Sequence, residues 1–364
     1  MTELQIYQIF GGETLLVYFL LLPAGLALHQ SGRPRSAALL FGMAILGRMD
    51  ALLFVGLVYL RDVIQHRRLP FIEALCIAGI LMPWFAYSLF TFGQLFPATL
   101  ATKMAMGESG AWKLFFPGSH PYLSALNPYQ GSLAPVFLGL LLLGLWRTIR
   151  REAIWLFFVA SSLLMALIYQ WILASAFSHW YLASLYLTQA LLLGAGLREI
   201  WALIGRLNEA IPQGVARPLT GLLRISLLVV VSSSLLAGAA SVRDFDTQPP
   251  RRKLYTELGT WLHDHTRSEN SVAYFEIGYL GWFSQRSIVD PVGLVTAGGL
   301  EHIRRGQLHW IFDLHAPDYF IHNSRQGMKS LLSSPAFRSR YRMIERFDAE
   351  GYPGELTVFK RNST

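Results

Sequence analysis

The chain runs to 364 residues, 53% of them hydrophobic and only 15% charged, where an ordinary soluble domain carries about 25% charged residues. That composition excludes a soluble globular chain and makes membrane insertion the default reading. The formal net charge of +8 does not point to nucleic acid, because the basic residues lie in short clusters between apolar runs and read as topology signals.

Eight apolar stretches fill Gly12 to Ala240 and then stop. Met1 to Phe10 has no basic leader, so the first span, Leu15 to Leu28, behaves as an internal one. It ends at the basic turn Ser31 to Ser36, which should stay in the cytoplasm. Ala37 to Leu60 is long enough for one span, yet it carries Arg48 and Asp50 at its centre and a second basic loop, Arg61 to Arg68, behind it. A single crossing would put basic loops on opposite sides. Two short helices in a hairpin, with Arg48-Met49-Asp50 at the tip, keep both loops inside and spare the charges from hydrocarbon.

Phe71 to Phe90 then runs outward. It holds Cys76, the single cysteine, so no intrachain disulfide can form. Thr91 to Pro135 reads as a long outside loop rich in Pro, Gly and aromatic residues, before Val136 to Trp146 returns to Arg147 to Arg151. Ala153 to Leu173 goes out, Tyr181 to Leu197 comes back, Arg198 to Arg224 is cytoplasmic, and Ile225 to Ala240 makes the last exit. The expected fold is a polytopic α-helical membrane domain over residues 1–242, followed by a small extracytoplasmic α/β domain over residues 243–364. In that second part Lys253 to His265 has helical spacing, and Ser271 to Phe275, Ser287 to Asp290, Asp318 to His322 and Leu356 to Lys360 read as strands. Gly299 to Leu314 reads as helical. The strand order is not legible.

Among the outside loops, Phe92 to Lys103 places a Pro, a hydroxyl and a Lys close together. Lys103 can meet a phosphate as a point charge and Thr99 can donate a hydrogen bond; a solvated juxtamembrane loop is the plainer reading. Glu13 is either an acid facing a site or an intrabilayer hydrogen-bond partner, and Arg48 and Asp50 can simply neutralise each other. His263 and His265, two apart on a helix, point away from each other and make no metal site.

Three segments occur in order: Gly11-Gly12-Glu13-Thr14, then Gly47-Arg48-Met49-Asp50, then Pro97-Ala98-Thr99-Leu100-Ala101-Thr102-Lys103. Here the chain resembles the GT-C superfamily of membrane glycosyltransferases that use polyprenyl-phosphate sugars, notably the bacterial protein-mannosyltransferase-like and arabinofuranosyltransferase-like branch. That branch carries a Gly-x-Glu-Thr span, an Arg-Pro-Asp/Glu turn and a Pro-Asn-Thr-x-x-Ala-Lys loop. Met49 stands for the Pro, and Ala98 and Thr102 for the Asn and Ala. Where relatives have an Arg-Tyr pair at the start of a later span, this chain has His179-Trp180-Tyr181. An interfacial Trp-Tyr anchor is the bland alternative. Asp290, in an Asp-x-x-Gly-Leu turn like that of the family's head domain, either faces the acceptor or fixes the turn.

The resemblance implies an inverting transfer, in which a carboxylate deprotonates the acceptor hydroxyl and cations stabilise the departing lipid phosphate. Glu13, Arg48, Asp50, Thr99, Lys103, His179 and Tyr181 are the implied substrate-binding residues. The family's usual catalytic Asp lies in a loop after an earlier span, so no catalytic residue is assigned and a longer parent is expected to supply it. No cofactor is assigned, although some relatives place a divalent metal at that loop. The implied partners are membrane lipid, a polyprenyl-phosphate sugar donor and a glycan, lipid or protein acceptor, at a bacterial plasma membrane. A noncatalytic membrane-anchored protein that binds an envelope glycan is the alternative. A transporter is disfavoured, since no paired halves are visible.

Overall fold

The computed structural model describes residues 13–93, 95, 98–110, 134–169, 181, 183–210, 217–229, 232–233, 250–307 and 309–362. It divides into two compact units, one of residues 1–87, 123–168 and 178–245, the other of residues 88–122, 169–177 and 246–364.

The first unit is helical. Helix α1 (Glu13–Gln30) contains a π-helical stretch over Leu16–Leu21. Helices α2 (Pro34–Gly47) and α3 (Ala51–His66) follow. At 14 and 16 residues each reaches only about 21–24 Å at 1.5 Å per residue, short of the roughly 30 Å hydrocarbon core. The chain breaks between them at Arg48, which is extended (φ −147°, ψ 116°), where the sequence reading placed a tip. Helix α4 (Phe71–Phe92) turns large apolar side chains outward, among them Phe71 at 70% and Phe90 at 88% exposure. An apolar surface of that kind is stable only against lipid or a partner.

The chain continues through α5 (Ala98–Ser109), which belongs to the second unit, and then α6 (Ala134–Arg151), a 3₁₀ turn at Ala153–Trp155, α7 (Leu156–Leu167) and α8 (Ala183–Ala210). Residues 217–229 form α9. Among the described residues, three helices are long and apolar enough to cross a membrane: Glu13–Gln30, Phe71–Thr91 and Ala183–Leu207. Val17, Leu22, Phe41, Phe54 and Phe158 fill the core between α1, α2, α3 and α7. Helices α6 and α8 touch backbone to backbone: a Cβ on Gly144 would collide with the Leu192 carbonyl oxygen, and one on Gly196 with that of Leu140. Small residues permit such close helix approach in a membrane.

Helix α8 runs on past Arg198, where the sequence reading begins a cytoplasmic stretch, as far as Ala210. The helix carries Glu199, which is 2% exposed and held between Arg147 and Arg206, while Arg147 and Arg198 both reach Glu152. Buried charge persists there because each carboxylate is paired.

The second unit is a five-stranded mixed sheet in the order β2-β1-β3-β5-β4. Strands β1 (Ser271–Ala273), β2 (Ser287–Val289) and β3 (Tyr319–Asn323) are mutually parallel, and β5 (Leu356–Arg361) runs antiparallel to both β3 and β4 (Tyr341–Phe347). Every residue of β3 is buried, as a central strand requires. Its side chains alternate between faces: Tyr319 and Ile321 meet Leu254, Leu258 and Leu262 of helix α10 (Pro250–His265), whereas Phe320 joins Trp310, Phe312 and Phe337.

Two elements differ from expectation. Strand β4 was missed because only its ends, Tyr341 and Phe347, are buried. A register shift at Met343/Glu345 breaks the alternation, and Arg342, Glu345 and Arg346 give it the charged look of a protected edge. Gly299 to Leu314 is two short helices, α12 (Leu300–Arg304) and α13 (Trp310–Leu314), rather than one. Gly306 between them sits at φ +69°, a conformation that ends a helix and suits glycine. Helix α11 (Ile277–Ser284) links β1 to β2.

Candidate functional site

The break between α2 and α3 forces two polar side chains into apolar surroundings, where each must find a partner. Arg48 grips Asp50 with both ends of its fork, Nε to Oδ1 at 3.1 Å and Nη2 to Oδ2 at 2.6 Å. Its Nη1 donates to Glu13 Oε1 and to Thr14 Oγ1, each at 3.1 Å, from the start of α1. The guanidinium also lies 5.9 Å from the centre of the Tyr18 ring. Side-chain exposure falls from 52% at Glu13 to 11% at Asp50 and 8% at Arg48.

Four of the five N–H donors of Arg48 are thereby committed within the protein. One guanidinium faces two carboxylates, so the cluster has a formal charge of −1 and does not attract a phosphate. Arg48 acts as a clasp that fixes Glu13 and Asp50, and the half-exposed Glu13 carboxylate is what the cluster presents outward. Among the described residues no group of three His, Cys, Asp or Glu side chains is placed to hold a metal.

The Pro97–Lys103 segment lies elsewhere, in the second unit, and most of it is helical rather than loop. Ala98 to Met106 is dominated by strong helix formers, and Gly110 at φ +71° stops the helix. The 3.6-residue period then sorts its side chains. Thr102, Ala105 and Met106 share the buried face: Ala105 and Met106 join Val292, Ile303 and Trp310 in one apolar cluster. Thr102, 2% exposed, donates to the Gly293 carbonyl at 3.0 Å. Thr99 and Lys103, one turn apart, share another face, and both are half-buried. Thr102, one of the departures from the family loop, is thus the anchoring hydroxyl, and sequence reasoning did not single it out.

The receiving turn is built by Asp290. Its carboxylate accepts from the backbone N–H groups of Val292 at 2.8 Å, Leu294 at 2.7 Å and Val295 at 3.2 Å, while Gly293 takes φ +73°. Asp290 is 1% exposed and points at its own backbone, so it fixes the turn and does not face an acceptor. Burial holds its carboxyl above the usual carboxylate range against the opposing pull of these N–H donors.

Of the remaining candidates, Tyr181 is buried at the entrance to α8, and His179 lies outside the described residues. His263 and His265 are surface groups of α10: His263 meets Asp264, and His265 stacks on Trp261 with its ring centre 4.8 Å away. A buried polar cluster that the sequence did not announce sits at the ends of β1 and β3. There the Tyr255 and Tyr274 hydroxyls lie 3.1 Å apart, Asn323 donates to the Tyr352 hydroxyl at 2.7 Å, and Arg251 pairs with Glu276. Burial raises the pKa of both Tyr255 and Tyr274. The partners satisfy one another, as a structural network does.

His322 behaves differently. Its Nε2 is buried without a hydrogen-bond partner among the described residues, and burial pushes the imidazole below its ordinary 6.5. The unfolded chain therefore takes up the proton first, and stability that is complete above about pH 6.5 falls as pH drops toward the depressed value. The thermal midpoint should fall more between pH 7.5 and 5.5 in the wild type than in His322→Gln; equal slopes would show that His322 is not the titrating group.

Residues 242–361 match a family model described as a domain of unknown function, DUF8728. A search among curated proteins found no match to the chain.

Proposed function

We propose that the chain serves the transfer of a sugar from a polyprenyl-phosphate donor to a glycan, lipid or protein acceptor at the face of a bacterial plasma membrane. The observation that carries this reading is the closure of two sequence-distant motifs on one side chain: Glu13 and Thr14, 35 and 34 residues from Arg48, join Asp50 on its guanidinium. Such a clasp holds Glu13 ready to accept hydrogen bonds from sugar hydroxyls. The leaving phosphate needs a cation, and this reading assigns that role to Lys103, with Thr99 one turn before it. The base that takes the acceptor proton is left unassigned.

Helix α5 belongs to the same compact unit as the sheet, which supports the reading that Lys103 and the C-terminal domain share one side of the membrane, taken in this proposal to be the outer side. Membranes containing the full-length protein should move tritium from polyprenyl-phosphate mannose or polyprenyl-phosphate arabinose into an acceptor fraction. Lys103→Ala should lower that transfer by about 100-fold, the scale of losing one transition-state donor, and Lys103→Arg should restore part of it. Full activity in Lys103→Ala removes this lysine from the scheme; failure of the wild type with both donors removes the scheme.

A further inference from the structure

We propose that the second unit carries a groove for an anionic oligosaccharide at the edge of the sheet where β1 and β3 begin and β5 ends. The space measures about 1100 Å³ and is lined by the end of α10, the start of β3 and the tail of β5. It exceeds the roughly 300–1,000 Å³ of a pocket for one small molecule, so an extended ligand fits it better than a compact one.

Charge then narrows the class. Arg267, Arg340, Lys360 and Arg361 line the groove against Asp264 and Asp318, four cations to two carboxylates. Arg361 is spent on Asp318 at 2.8 Å and Arg340 on Asp313 at 2.9 Å. Lys360 makes no ion pair among the described residues and rests 5.8 Å from the Tyr319 ring centre. Arg267 meets the exposed Glu269 at a loose 3.9 Å, a contact worth little in water. Lys360 and Arg267 are thus placed to receive acidic groups from outside.

The rest of the lining mixes acceptors and donors, with Asp264, Asn270, Ser339 and Asn362 among them. A row of sugar hydroxyls, each both donor and acceptor, satisfies such a mixture. Tyr319 and Tyr341 are each only 4% exposed, so they offer no open ring face for stacking bases, which single-stranded nucleic acid needs. The site does not rest on the transfer proposal, and binding to it can be measured without turnover.

The full chain in nanodiscs of zwitterionic lipid, titrated with tetragalacturonate, should bind in a salt-dependent manner. Maltotetraose, of similar length but neutral, should bind at least tenfold more weakly. Lys360→Glu combined with Arg267→Glu changes two exposed side chains and should weaken tetragalacturonate at least tenfold while leaving the thermal midpoint unchanged. Each single variant should show part of that loss. No binding of tetragalacturonate, equal binding of maltotetraose, undiminished binding by the double variant, or equal binding of hexaglutamate or oligo(dT) would each overturn the assignment.

Discussion

Arg48→Ala should cost the first unit about 3–5 kcal/mol, the typical penalty for removing one partner of a buried ion pair. The loss comes mainly from Asp50, which stays buried with its charge uncompensated, and from the Thr14 hydroxyl, which is 1% exposed and loses its donor. Glu13 adds little, because half of its side chain is already in water. Arg48→Lys should recover only a fraction, since one ammonium cannot bridge both Asp50 oxygens and still reach α1. Arg48→Ala combined with Asp50→Asn should be less damaging than the sum of the two single changes, because the stranded charge is gone. Unfolding of the purified protein in detergent measures all four. A wild-type unfolding curve for Arg48→Ala would show that the clasp does not hold α1 to the helix break. On the proposed function the same variant also loses sugar transfer, and Arg48→Lys separates the two effects if it folds without transferring.

Asp290→Ala should destabilise the second unit by about 3 kcal/mol or more, because three backbone N–H groups lose their acceptor at once and each buried orphan costs about 1–3 kcal/mol. The damage should spread, since the turn that Asp290 shapes presents the Gly293 carbonyl to Thr102. Hydrogen exchange should therefore speed up at Val292, Leu294 and Val295, and also along α5. Asp290→Asn should fall between the two, as the amide oxygen keeps one acceptor site while the cost of burying a charge disappears. Protection of α5 that survives Asp290→Ala would show that this helix is held by Ala105 and Met106 alone.

What the sequence disclosed followed from how each signal is encoded. The break at Arg48–Asp50 was legible because two charges inside an apolar run admit few solutions. Four of the five strands were visible as short apolar runs between turn residues. Strand β4 was hidden by its exposed, charged middle, and the course of α8 beyond Arg198 was not visible in a charge rule that does not see pairing. Glu199 drew no notice in the sequence, because its partner Arg147 stands 52 residues earlier. At the candidate site the identities were readable and the roles were not. Arg48 suggests a phosphate ligand by type, and only the geometry shows its donors committed to Asp50, Glu13 and Thr14. The anchoring role of Thr102 required knowing that Gly293, 191 residues away, would be its acceptor.

The seat of α5 separates contiguity along the gene from physical completeness. The stretch 242–361 picked out by the family model contains all five strands, yet two side chains of its apolar cluster, Ala105 and Met106, are supplied from more than a hundred positions upstream. The smallest body able to keep its own shape is therefore stitched from distant parts of the polypeptide. Neither part of this second unit can be shuffled, swapped or inherited without the other.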